Sequence, residues 1–361
     1  MVAGKETARL NGLDTVQGAV DTIEQYFDNG WTDGLPIVPP TEELVGRMLE
    51  ASGRDPMEVL GIIPPRMGVA TVEAVATNAV MAGCRPEYMP VVIAAVEAVV
   101  DENFDLRGLQ ATSDPAAPMV IVSGPVVQQV GINHGIGLFG HGSRANATIG
   151  RALQLVIRNV GGGRPGGVDR ATLGNPGKYT FCFAENEDDS PWEPLSVQRG
   201  IKPGVSAVTL FAADGVQGMF DQQSRTPESL TNSFAACLKS VAHPKIAMTS
   251  DVFLIVSPEH ARVFREAKWS KQQLLDELAK ALTFPAGDMV RRAGGIAEGH
   301  GLAADDDDAL ALGATWVDAH FLGLLVGHRL AVNDDDALAG GIAARLVVDD
   351  NAHDLIDVGV G

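Results

Sequence analysis

Apolar residues recur at helical spacing through residues 14–29, where Val16, Val20, Ile23 and Phe27 share one face and Asp14 stands at the N-cap. The same pattern places a second helix after Thr41, which follows the extended pair Pro39-Pro40. Two strongly apolar helices are expected over 69–83 and 87–100. They part at Gly83-Cys84-Arg85-Pro86, because proline cannot continue the first. Residues 118–122 (PMVIV) read as a buried strand, and a glycine-dense loop over 131–142 delivers the chain to a helix over 144–160. Seven Gly and two Pro within 161–177 argue against regular structure there. A strand is expected over 179–184 and an acidic loop over 185–193.

Near Pro203 the texture changes. Strand-like runs at 207–211 and 252–256 alternate with helices whose starts are plainly marked. Thr226-Pro227-Glu228 and Ser257-Pro258-Glu259 each give a cap, a proline at the first helical position and an acid that the helix dipole favours. Ser270 to Gln273 has the form of a capping box. The fold class that follows is α/β: two α/β domains with mixed sheets, and a glycine-rich loop leading into a central helix. The expected boundaries are a flexible leader over 1–13, a first domain over 14–204 that carries the site, a second over 205–300, and an acidic helical extension over 301–361. The apolar run at 309–326 contains Asp318 and His320, so a buried helix is expected there rather than a membrane span.

Apolar residues make up 45% of the 361 and charged residues 20%, enough to bury a core and to argue against disorder. The formal net charge of −19 is unevenly placed. From residue 301 onward Arg329 and Arg345 oppose twelve acids, which leaves 25 basic and 34 acidic residues in the first 300. The acidic total excludes nucleic acid and anionic membrane as expected partners. The nearly balanced body still has room for a positive anion site. The Asp runs at 306–308 and 334–336 are read as helix caps, since consecutive Asp lacks the alternating ligands and bend glycine of a calcium loop. Three cysteines are too few for a disulfide scaffold, and the N-terminal residues lack an apolar signal core. A cytoplasmic protein with reduced thiols is expected.

The most informative stretch for chemistry is 131–146. Its glycines let backbone approach a ligand closely, and the following helix N-terminus offers unpaired N–H groups. Asn133, Gly142, Ser143, Arg144, Asn146 and Arg151 are the residues expected to bind a carboxylate or phosphate there. The competing reading is a loop that merely packs tightly. No Walker Gly-Lys-Ser/Thr occurs and no dinucleotide fingerprint is read in the loop, so neither ATP nor NAD(P) is the expected cofactor. His134 and His141 are read three ways: general acid/base groups, ligands of a divalent transition metal together with Cys84, or plain hydrogen-bond donors.

Cys84, beside Arg85 and a helix start, is expected to have a depressed thiol pKa that suits a nucleophile. Against this, free cysteines on apolar helices are commonly inert. Cys182 and Cys237 read as core. Lys178 is expected to hold a substrate carboxylate, Glu185 to act as a base, Glu187 to bind substrate or metal, and Trp192 to close over the site. Charged loops of this kind are more often only solvated.

Several blocks resemble the bacterial family associated with UGSC-type (seleno)proteins. They are Trp31-Thr-Asp-Gly-Leu-Pro-Ile-Val-Pro-Pro-Thr41, Asn78-Ala-Val-Met-Ala-Gly-Cys-Arg-Pro-Glu-Tyr-Met-Pro90, Arg144-Ala-Asn-Ala-Thr-Ile-Gly-Arg151, Lys178-Tyr-Thr-Phe-Cys182 and Ser190-Pro-Trp-Glu-Pro194. The resemblance spans 31–271 and implies small-molecule metabolism. The Sec/Cys-Gly-Ser-Cys motif itself is absent, so selenol or dithiol chemistry does not carry over.

The expected function is an enzyme, a homo-oligomer, acting on a small anionic substrate by carbon–heteroatom cleavage of lyase or hydrolase type. Alternatives are a non-catalytic ligand-binding or redox partner subunit, and a metal-dependent oxidoreductase.

Overall fold

The computed structural model describes residues 15–241 and 250–285, and the backbone of four further strands up to residue 345. The leader at 1–13, the Asp14 cap and both Asp runs lie outside the described residues. The chain is mixed helix and strand with small sheets, and it divides into two compact units. The first comprises the described residues of Met1–Glu185, Leu195–Ala212 and Val332–Gly361. The second comprises those of Asn186–Pro194 and Ala213–Ala331.

In the first unit, helix α1 (Val16–Asp28) is capped by Thr15, whose hydroxyl accepts from Gly18 N. Thr41 caps α2 (Glu42–Ser52) in the same way, and Gly53 closes that helix in the left-handed region. A hairpin that the apolar pattern did not announce follows: β1 (Val59–Ile63) pairs antiparallel with β2 (Gly68–Thr71). Its second strand takes up the first residues of the expected 69–83 helix. That helix, α3 (Val72–Ala82), starts only where Thr71 caps it. Helix α4 (Met89–Val99) likewise begins two residues later than expected, after a 3₁₀ turn led by Pro86.

Short α5 (Leu106–Ala111) leads to β3 (Ala117–Ser123), buried at every residue as the PMVIV run requires. A one-turn helix, α6 (Val126–Val130), then separates β3 from the glycine loop. Helix α7 (Arg144–Val156) packs along α3 and runs into a π-turn, Ile157–Gly161. The expected 179–184 strand shortens to β4 (Cys182–Ala184), parallel to β3, because a 3₁₀ turn at Pro176–Lys178 precedes it. After α8 (Leu195–Gln198) comes β5 (Ala207–Ala213), which lies on the other side of β3 in the same sheet.

The first regular elements of the second unit are β6 (Gly215–Gln217) and α9 (Pro227–Val241), where Ser229 N donates to the Thr226 hydroxyl. Strand β7 (Ser250–Ile255) leads to α10 (Pro258–Glu266), capped by Ser257, and α11 (Lys271–Ala281) opens on the full Ser270–Gln273 capping box. Strand β8 (Thr283–Pro285) pairs with β9 (Ala309–Ala311). Strands β10 (Val317–His320) and β11 (Gly323–His328) flank β7, parallel and antiparallel respectively. Strand β12 (Ile342–Arg345) returns to the first unit's sheet, antiparallel to β5.

The tail therefore corrects the expectation of a helix over 309–326. An apolar run of that length fits either element, and Gly313, Gly323 and Gly327 favour breaking it into short strands. Among the described residues no helix is long and apolar enough to cross a membrane.

Candidate functional site

The 131–146 loop is held by its own polar groups. The Ser143 hydroxyl caps α7, accepting from Asn146 N at 3.4 Å and donating to Asn146 Oδ1 at 2.6 Å. Asn146 also reaches back across the loop, its Oδ1 accepting from Asn133 N at 2.8 Å and its Nδ2 donating to Asn133 O at 3.0 Å. The Asn133 side chain then takes up Gly135 N and Ile136 O. Three of the residues expected to bind an anion thus bind one another. Gly142, at φ +107, makes the turn into the cap, and His141 is exposed. His134 faces Gln128 across 3.1 Å through Nε2, while its Nδ1 is buried with no partner.

Gly135, Gly137 and Gly140 do fall at GxGxxG spacing, which the expectation of no dinucleotide fingerprint overlooked. The surroundings differ from a dinucleotide fold. Helix α6 intervenes after β3, and α7 begins four residues beyond the last glycine, so the run does not turn a strand directly into a helix.

The Cys84 turn, the start of α7 and the residues before β4 meet in the first unit. Cys84 Sγ donates to Thr148 O at 3.2 Å, Arg144 Nε donates to Gly83 O at 2.9 Å, and Thr180 Oγ1 donates to Asn146 O at 3.1 Å. The thiol does not have the expected character. Burial pushes the Cys84 pKa up to about 12, outweighing the hydrogen bond to Thr148 and the charges of Arg144 and Arg151. Arg85, expected to activate it, points to Glu87 at 3.7 Å and is more than half exposed. Cys182 is buried as well, and its pKa is raised by burial first and by Cys84 second. Both thiols should therefore stay unreacted with a disulfide reagent in the folded protein and react on denaturation. Rapid labelling of native Cys84, read by peptide mass mapping, would overturn this.

The other expected cations are also engaged. Arg151 donates to both oxygens of Asp33 at 2.7 and 2.8 Å, and to the carbonyls of Leu35 and Pro36. Burial alone would raise the Asp33 carboxyl, but the hydrogen bonds and charge of Arg151 hold it below its ordinary value. Lys178 is paired with both oxygens of Asp169 at 3.0 and 2.9 Å. Glu185 is buried and accepts from Leu195 N at 2.8 Å, which makes it an anchor for α8. Glu187 and Trp192 belong to the second unit. There Trp192 donates from Nε1 to Trp269 O and packs on Phe264 within the core, rather than standing free as a lid. Among the described residues no group of three or more His, Cys, Asp or Glu side chains is placed to hold a metal ion.

Two arginines that the sequence reading passed over have no such engagement. The π-turn at the end of α7 carries Arg158 and Asn159 toward the 30–36 loop; π-turns of this kind recur at functional sites. Asn159 Nδ2 donates to Trp31 O at 2.9 Å and to Asn78 Oδ1 at 2.8 Å. Arg164 lies against Gly30, its Nη1 3.0 Å from where a Cβ would stand. Gly30 has φ +66, so space and backbone both require glycine there.

Burial, and then the like charge of Arg164, press the Arg158 guanidinium below its ordinary pKa despite the opposing charge of Asp33. Arg158 and Arg164 each have a buried Nε with no partner. Two like charges held close, half-buried and unpaired are costly unless an anion joins them. A signal existed in the sequence: Arg158-Asn-Val-Gly-Gly-Gly-Arg164 sets two cations around a glycine triplet at a helix end.

Set against known proteins, the chain matches no family model, no curated protein and no solved structure.

Proposed function

We propose that this protein is an enzyme for a small anionic molecule, and that Arg158 and Arg164 hold the anion. The observation that carries the reading is the pair of neighbouring, half-buried guanidiniums with unpartnered Nε atoms beside the 30–36 loop. Guanidinium presents several donors in a fixed fork, matched to carboxylate and phosphate oxygens. Cleavage of a carbon–heteroatom bond, of lyase or hydrolase type, gains from this arrangement. Charge builds on oxygen during such a reaction, and cations already fixed by packing stabilise it without reorganising. The role of the 131–146 loop is then architectural: it seats the start of the helix whose far end carries Arg158. The resemblance of the 31–271 blocks to a family of small-molecule metabolism agrees with this.

The test is anion binding by calorimetry, with sulfate and acetate as probes, on the wild type and on Arg158→Gln and Arg164→Gln. A charge-assisted hydrogen bond contributes about 1.5–3 kcal/mol, so each substitution should weaken binding about tenfold or more. Arg144→Gln and His141→Gln should leave it unchanged. Equal affinity in the wild type and both arginine variants would remove the basis for the proposal.

A further inference from the structure

The unsatisfied buried atoms of this segment and its neighbours are of both kinds, donors and acceptors. Asn159 Nδ2 is fixed as the donor, because it faces Trp31 O and the Oδ1 of Asn78, whose own Nδ2 is committed to Ala74 O at 2.8 Å. Turning the carboxamide over would set oxygen against two acceptors. Asn159 Oδ1 is therefore an acceptor by necessity, and it is buried with no partner. It follows Arg158 directly on the π-turn; Asn159 reaches the 30–36 loop at Trp31, and the charge of Asp33 in that loop acts on Arg158.

A second orphan acceptor lies against the residue that precedes Arg164 in the chain. Gln110 Nε2 donates to Pro64 O at 3.2 Å, which leaves Oε1 buried and unpaired against the bare Cα of Gly163. A bare anion offers only acceptors, so it would satisfy the arginines and leave both carboxamide oxygens orphaned. Each buried orphan costs about 1–3 kcal/mol.

Resting on the anion-site reading above, we infer that the ligand is a carboxylate carrying its own hydrogen-bond donor, a hydroxy- or amino-carboxylate. Its carboxylate meets the guanidiniums of Arg158 and Arg164, and its O–H or N–H meets Asn159 Oδ1. A site built to receive such a donor rejects an analogue that lacks it, because the buried acceptor is then left unpaired.

The experiment compares pairs that differ by one hydroxyl donor, lactate against propionate and malate against succinate, together with alanine against propionate, which adds an ammonium charge as well as the donor. Affinities are measured by calorimetry on the full chain and on Arg158→Gln. At least one donor-bearing member should bind about tenfold or more tightly than its partner, and Arg158→Gln should weaken both members of that pair. If every pair binds with equal affinity while Arg158→Gln still weakens binding, the donor inference falls and the anion site stands. If Arg158→Gln changes nothing, or no carboxylate binds, the anion-site reading falls and takes the inference with it.

Discussion

Replacing Asp33 with Ala should lower the stability of the first unit by about 3–5 kcal/mol, the usual consequence of stranding one member of a buried ion pair. Asp33 and Arg151 have side chains only 10% and 12% exposed, and two short hydrogen bonds join them across 118 residues of chain. Removing the carboxylate leaves a guanidinium in a site that water reaches poorly. Because the loss comes mainly from the stranded charge, the double variant Asp33→Ala/Arg151→Met should be more stable than Asp33→Ala alone.

The pH dependence has a definite sign. The folded carboxyl titrates below its ordinary value of 3.8, so the pair contributes fully above that value. The contribution is lost as pH falls through the lower, folded pKa. The gap between wild type and Asp33→Ala should therefore be constant near neutrality and close only in acid. Urea unfolding across pH would measure it, and a gap that instead widened on acidification would contradict the pairing. The charge of Asp33 also acts on Arg158, so the variant should raise the net positive charge around the two arginines and tighten sulfate binding where folding survives.

Phe264→Ala should be of similar size in the second unit, about 3–5 kcal/mol. Its ring is fully buried, with ring centroids of Trp192, Trp269 and Phe234 at 5.6, 6.0 and 6.1 Å. Truncating a ring packed against three other aromatic rings leaves a cavity that rigid neighbours fill poorly. Trp192 and Trp269 report on it directly through fluorescence. Phe264→Leu, which keeps most of the volume, should cost clearly less. Equal losses for the two substitutions would mean that the ring stack does not organise this core.

What was legible in the sequence was local. Thr41, Ser257 and Ser270 cap helices as read, because a cap is a contact between residues three apart that follows from residue type alone. The β1–β2 hairpin was not legible. Its turn, Pro64-Pro65-Arg66-Met67, has none of the usual hairpin glycine or asparagine, and its second strand runs without a break in hydrophobicity into α3. The tail strands were hidden for a related reason: short apolar runs fit strand or helix until a partner is present. At the site, the sequence shows which arginines exist but not which are spoken for. Arg151 looked available until Asp33, far away in sequence, was found beside it. Arg158 fell at the end of the expected 144–160 helix and Arg164 in the irregular 161–177 segment, and neither position shows in sequence that its Nε lacks a partner.

The burial of Cys84 and Cys182 has a practical consequence. Of the three cysteines, Cys237 alone is partly exposed, on α9 in the second unit. The unaltered protein therefore offers a single native attachment point for a fluorophore or spin label, on the unit that does not contain Arg158 and Arg164. A probe there would follow the second unit by itself, with no engineered cysteine.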